Sequence, residues 1–289
     1  MNCLLRHRLL TGVALISASF IPFTDLRAQD EEEIDPGTEQ PNVPDDLIDD
    51  QHVREELGIN MFTAPSIKRI FDDLDKLAPL PADELKHPMP ERMPLNRSDL
   101  ALEIGFLIAD GFMAVQAGQM NKIEPLAKEL SRYSRALGAG ERVNRHAAGL
   151  LKSAENNDIE AVKKELSATQ RDVETDLIHL RDVDLAHLIS LGGWIRALEV
   201  GSRAVEKKYT LDRAKNLYRE DITDYYEGSI ASLDPRISER KDIMAMRIII
   251  MDLRTIMTLK DGEEPTEDGV KKIAAAAKKL ATLALSRGK

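Results

Sequence analysis

Residues 243–257 read IMAMRIIIMDLRTIM, and their spacing decides the fold class. Ile243, Met246, Ile250, Leu253 and Met257 step by three and four, which sets them on one stripe of an α-helix, and Ile249 and Ile256 widen it. A half-buried strand would alternate with period two. The triple isoleucine at 248–250 is too short to supply that against the heptad around it. A Met-rich stripe also suits an adaptable binding surface. The spacing favours the buried side of a bundle helix.

The same period runs through most of the chain. Ile159, Val162, Leu166, Thr169, Val173, Asp176 and Leu180 form a second stripe, with Thr169 and Asp176 as polar residues at core positions. Such a residue bonds a neighbouring backbone group or faces a wet cavity. Helices are predicted over 98–117, 122–137, 141–156, 158–181, 185–207, 211–232 with a break near Arg219, 236–259 and 266–286. Gly138 marks a stop, and Asp158, Thr210, Asp234 and Thr266 mark starts. The expected fold is all-α, a multi-helix bundle or irregular helical-hairpin array with no β-sheet, spanning residues 95–289.

Residues 45–94 are expected to hold two short helices and a connector. One helix runs from about Asp45 to Gly58. The other runs from Pro65 to Leu77, with Thr63 placed to cap it. Pro79, Pro81, Pro88, Pro90 and Pro94 then forbid a helix through the connector. Ahead of these, residues 29–44 read QDEEEIDPGTEQPNVP, an acidic leader with little to bury and an expected lack of order.

Residues 1–28 have the parts of a secretory signal peptide: Arg6 and Arg8, the apolar stretch Leu9 to Phe23, and Leu26-Arg27-Ala28 before the cleavage point. A retained membrane anchor is the rival reading, but a stretch of 15 residues falls short of the ~20 that a spanning helix needs. Export to a periplasmic or extracellular space is therefore expected, with Gln29 as the mature N-terminus and no transmembrane segment after cleavage. The only cysteine, Cys3, precedes the apolar stretch, so the mature chain has neither disulfide nor thiol chemistry. Removing three arginines and Asp25 from 40 basic and 50 acidic residues leaves 37 against 49. Nucleic acid is a poor partner for such a surface, since phosphate binding needs a basic face.

The charge reverses at the end of the chain, where residues 269–289 hold six basic residues and no acid. Lys271, Lys272, Lys278, Lys279, Arg287 and Lys289 follow Glu267 and Asp268, while Val270, Ile273, Ala277, Leu280 and Ala284 form an apolar stripe. A basic amphipathic helix at 266–286 can lie on an anionic membrane surface. Its alanine-rich stripe, without Trp or Phe anchors, fits packing on an acidic bundle better.

Two other helices carry ridges of small residues at spacing four: Ala101, Gly105 and Ala109, and Gly193, Ala197 and Gly201. Such ridges let helices approach closely, so 98–117 and 185–207 are expected to be the most buried long helices. Asp99, Glu103 and Asp110 form a line about 150° around the helix from the first ridge. The line reads as the solvated side of that helix. The alternative is a buried acid paired with an arginine, for which Arg196 and Arg203 have the same spacing as Glu103 and Asp110. On that geometry the two helices would use either the ridges or the charges against each other, and not both.

No nucleophile elbow, P-loop, dinucleotide fingerprint or His-Glu-x-x-His motif is present. The one constellation with chemical content is Asp176 and His179 with Asp184 and His187, each acid three residues before its histidine. Di-iron bundles place a carboxylate and a histidine at this spacing on each of two helices. On one continuous helix the four side chains would spread over roughly 140° and fail to converge. A break near Asp182 would change that. Caps and surface histidines are the plainer reading. The sequence thus points to an exported, non-catalytic protein of the cell envelope that binds a protein or small-molecule partner through a helical surface, or serves a structural role, with no cofactor. Catalytic residues are unassigned; the alternative is a metal-dependent enzyme using the 176–187 segment.

Overall fold

Ser66 opens the first helix that the structure describes. Its hydroxyl accepts from the Arg69 N–H, and α1 runs Ile67–Leu74 into a 3-10 turn at Asp75–Leu77. The expected cap, Thr63, lies outside the described residues, and Pro65 precedes the helix rather than joining its first turn. The computed structural model describes residues 65–286 apart from 82, 83, 86 and 88–91, all within the unit Thr38–Lys289. The signal segment 1–28, the leader 29–44 and the helix expected from Asp45 to Gly58 lie outside the described residues.

The elements that follow are α2 (Arg97–Gln116), α3 (Ile123–Leu137), α4 (Gly140–Glu155), α5 (Ile159–His179), α6 (Val183–Lys207), α7 (Leu211–Leu217), α8 (Glu220–Ser232), α9 (Pro235–Ser238), α10 (Lys241–Met257) and α11 (Glu267–Ala284). Among the described residues there is no strand, and the fold is an all-α, bundle-like array. No helix among them is long and apolar enough to cross a membrane.

Local chemistry sets the boundaries. Side chains of Asn96, Asp158, Thr210, Asp234 and Thr266 each accept a backbone N–H at a helix start, and Gly138 ends α3 with a φ of 89°. The break expected near Arg219 falls at Tyr218–Arg219. The helix expected over 236–259 is in fact two, α9 and α10. Arg240 turns extended between them, its guanidinium drawn to Asp99 at 2.5 Å and Asp242 at 2.6 Å.

α2 and α6 pack on each other at the centre and are almost wholly buried, as their composition predicts. The contact is made where α2 has no side chain. A Cβ on Gly105 would overlap the Ile189 carbonyl oxygen and lie 2.7 Å from the Gly193 nitrogen, and one on Gly192 would overlap the Leu102 carbonyl oxygen. The α6 ridge has a different main partner: Gly193 faces Ile67, and Gly201 faces Leu74 and Leu77, so it receives α1. α3, α4 and α5 each pack on the next, and α11 lies along α6 and α10. The α10 stripe Ile243, Met246, Ile250, Leu253 and Met257 is core, as is the α11 stripe Val270, Ile273, Ala277, Leu280 and Ala284. The latter is spent on the bundle.

The acid line of α2 is not solvated. Asp99 and Glu103 are buried, and Asp110 is nearly so. Arg240 holds Asp99, the Tyr133 hydroxyl donates to Glu103 at 2.8 Å, and Arg196 holds Asp110 at 2.7 Å. The pairing of Asp110 with Arg196 is thus realised alongside the close approach at Gly105. The reach of an arginine side chain reconciles the two, since its head can bond around the helix from its own Cα. Arg203 pairs instead with Glu206 at 2.6 Å.

Candidate functional site

The four-residue constellation of acids and histidines is dispersed. The break that it required does occur: α5 ends at His179, Arg181 takes a left-handed φ of 60°, and α6 begins at Val183. His179 is nonetheless exposed at the end of its helix, and Asp176 is half-buried on the same helix. Asp184 accepts from the Asp234 N–H at 2.9 Å, and the His187 Nδ1 meets the Tyr225 hydroxyl at 3.2 Å. Burial lowers His187 to about 4. Among the described residues, no three or more His, Cys, Asp or Glu side chains are grouped so as to hold a metal ion.

Thr169 follows the ordinary pattern for a polar core residue, donating to the Glu165 carbonyl at 2.8 Å. Nearby, a buried polar layer clasps the start of α1. Gln170 accepts from the Ile67 N–H at 3.1 Å, and Ser190 donates to the Pro65 carbonyl at 2.9 Å while touching the Tyr226 hydroxyl. Burial pushes Tyr226 far above the usual phenol range, so it remains a neutral hydrogen-bonding group. This layer holds the chain in place.

Chemistry with access to solvent gathers elsewhere. Arg196, Glu199, Arg203 and Glu206 step by three and four along α6, a polar line on a helix otherwise made of core. Arg196 is 0% exposed. Its Nε donates to Asp110 at 2.7 Å, its Nη1 to Glu199 at 2.6 Å and its Nη2 to the Leu85 carbonyl at 2.5 Å. The guanidinium therefore joins α2, α6 and the connector. His87, set edge-on to Phe106, puts its Nε2 3.0 Å from the same Glu199 oxygen, Oε2, that Arg196 bonds. Burial pushes the Glu199 carboxyl up. The His87 hydrogen bond and the Arg196 charge outweigh that and hold it below its ordinary value.

Above this cluster opens a cleft of about 480 Å³, lined by Glu84, Leu85, His87, Glu199, Arg203 and Glu206 on one side. Lys271, Ala274, Ala275 and Lys278, one face of α11, form the other. Glu84 pairs with Lys207, Arg203 with Glu206, and Lys271 with Glu267. Lys278 is exposed and makes no ion pair among the described residues. A second cleft of similar volume lies between Asn96–Ser98, Arg181–Leu185 and Asp234–Ile237. Most of its charges close on each other, Arg97 with Asp182 and Arg236 with Asp234. A third is smaller and mainly apolar, set between Leu77, Trp194, Leu217 and Met257. Comparison with protein-family models, with curated proteins and with solved structures finds no match to the chain.

Proposed function

We propose that this chain is an exported, non-catalytic binding protein whose cleft over Glu199 takes a small zwitterion. The charge arrangement carries the reading. Asp110 and Glu199 share the single permanent charge of Arg196, so the carboxylates of the floor outnumber its guanidinium. A ligand ammonium would balance that excess, and a carboxylate held ionised is its natural acceptor. Toward solvent the excess reverses among the described residues, because there Lys278 has no acid of its own while Arg203, Lys207 and Lys271 are matched. A carboxylate or phosphate at the far end of the ligand fits there. Leu85, Ala274 and Ala275 supply apolar wall between the two ends.

The binding reading rests on charged side chains already committed to one another, Arg196 to Asp110 and Glu199, Glu84 to Lys207, Arg203 to Glu206 and Lys271 to Glu267. The export part of the proposal rests on Arg6, Arg8 and the apolar stretch Leu9 to Phe23. Calorimetric titration of the purified protein tests the ligand class. Phosphoethanolamine and 4-aminobutyrate serve as zwitterions, ethanolamine and inorganic phosphate as comparators carrying charge of one sign only. Saturable heat with a zwitterion and much weaker binding of both comparators is expected. No binding by either zwitterion, or ethanolamine binding as tightly as phosphoethanolamine, overturns the reading.

A further inference from the structure

α10 is apolar on two sides, and only one of them is core. The inner stripe is buried, yet Met244, Ile248 and Met251 are 50%, 58% and 49% exposed and stand with Thr255 on an outer stripe spaced by four, three and four. Three large apolar side chains in one row make a contiguous exposed patch, which scattered surface hydrophobics do not. The row has coiled-coil spacing, with β-branched Ile248 and Thr255 at one of the two seam positions and unbranched Met244 and Met251 at the other. β-Branched residues at that first position favour two parallel strands.

The residues beside the stripe specify the partner. On one side stand Arg247 and Arg254, on the other Ala245 and Asp252. Arg247 sends its Nε and Nη2 to Glu227 and leaves its Nη1 open, with the side chain 43% exposed. Asp252 is exposed and has no ion-pair partner among the described residues. Five residues separate the two, the offset at which flanking charges meet across a parallel, in-register helix pair. Antiparallel pairing would instead set Arg247 against Arg254 of the other chain.

The neighbouring helices agree. Arg247 and Arg254 pair with Glu227 and Asp224 of α8, so α8 takes one flank. α11 packs along α10 as well. α8 carries Glu220, Asp221, Asp224 and Glu227 and no basic residue, whereas α11 pairs Lys271 and Lys272 with its own Glu267 and Asp268 and carries Lys278 and Lys279 beyond them. A two-fold axis parallel to α10 sets the two α8 helices on opposite sides of the seam. A perpendicular axis lays acid on acid.

We infer that the protein forms a two-fold homodimer through a parallel pairing of α10, with Arg247 of each copy bonded to Asp252 of the other. A stripe of four residues is small for a stable interface, so α8 and α11 complete the contact and the dimer dissociates on dilution. Sedimentation of the full chain over a wide concentration range should show a monomer–dimer equilibrium that weakens with salt. Ile248→Glu should be monomeric throughout with an unchanged melting curve, because its side chain leaves solvent only in the dimer. In a Cys3→Ser background, Met244→Cys and Thr255→Cys should each form disulfide-linked dimers on mild oxidation. A wild-type chain that is monomeric at every concentration overturns the inference. So does cross-linking only when the two cysteine variants are mixed, which is the antiparallel result.

Discussion

Arg196 of α6 and Asp110 of α2 meet Nε to Oδ1 at 2.7 Å, and this bond ties the two central helices together beside the Gly105 contact. It also fixes the guanidinium that holds Glu199 at the floor of the cleft. Replacing Asp110 with Ala leaves a buried cation short of one acceptor and should cost about 3 kcal/mol, at the low end for breaking a buried pair. Denaturant unfolding measures it. The exposed pair Lys128–Glu124, broken in the same way, should leave the transition where it is.

The two small-residue ridges should respond differently. Gly105→Ala drives a methyl into the backbone of α6, which cannot move without the helix. Gly193→Ala meets the flexible end of Ile67. The first should cost ~1–3 kcal/mol and the second clearly less, since overpacking is relieved most cheaply by a mobile side chain. Melting curves of the two variants give the order.

His187 should make stability depend on pH. Its pKa is lowered from 6.5 to about 4 by burial, so between those values the unfolded chain binds the proton and the folded chain does not. The contribution is full above pH 6.5, falls as the pH drops, and is exhausted near pH 4. Its ceiling is on the order of 3 kcal/mol. His187→Gln should flatten that part of the stability–pH curve relative to wild type while retaining a bond to Tyr225.

Truncation after Glu264 removes all of α11. Val270, Ile273 and Leu280 are fully buried, and each is worth ~1.5–3 kcal/mol. That total rivals the whole stability of a domain. The truncated chain should lose its cooperative melt and bind a hydrophobic dye.

Helix content and most boundaries were legible because they depend on neighbours in sequence. The caps at Asp158, Thr210, Asp234 and Thr266, the stop at Gly138 and the break near Arg219 are all local chemistry. The break at Glu239–Arg240 was not legible, because what holds Arg240 extended is partly Asp99, far away in the chain. The acid line of α2 was misread for the same reason. Asp99, Glu103 and Asp110 have partners at Arg240, Tyr133 and Arg196, and without them a charged line looks solvated. The cleft had one visible sign, the polar spacing of Arg196, Glu199, Arg203 and Glu206. His87 had none, since nothing in a proline-punctuated connector says where it folds back.

The proposed cleft is tested most directly by titrating phosphoethanolamine into wild type and into Glu199→Gln. The variant keeps the shape of the floor and removes the Glu199 charge. A charge-assisted bond worth about 1.5–3 kcal/mol translates into a loss of roughly 10- to 100-fold in affinity. Lys278→Ala should cost less, because that lysine is exposed. Equal affinity for wild type and Glu199→Gln, with both proteins folded, would contradict a zwitterion held over Glu199.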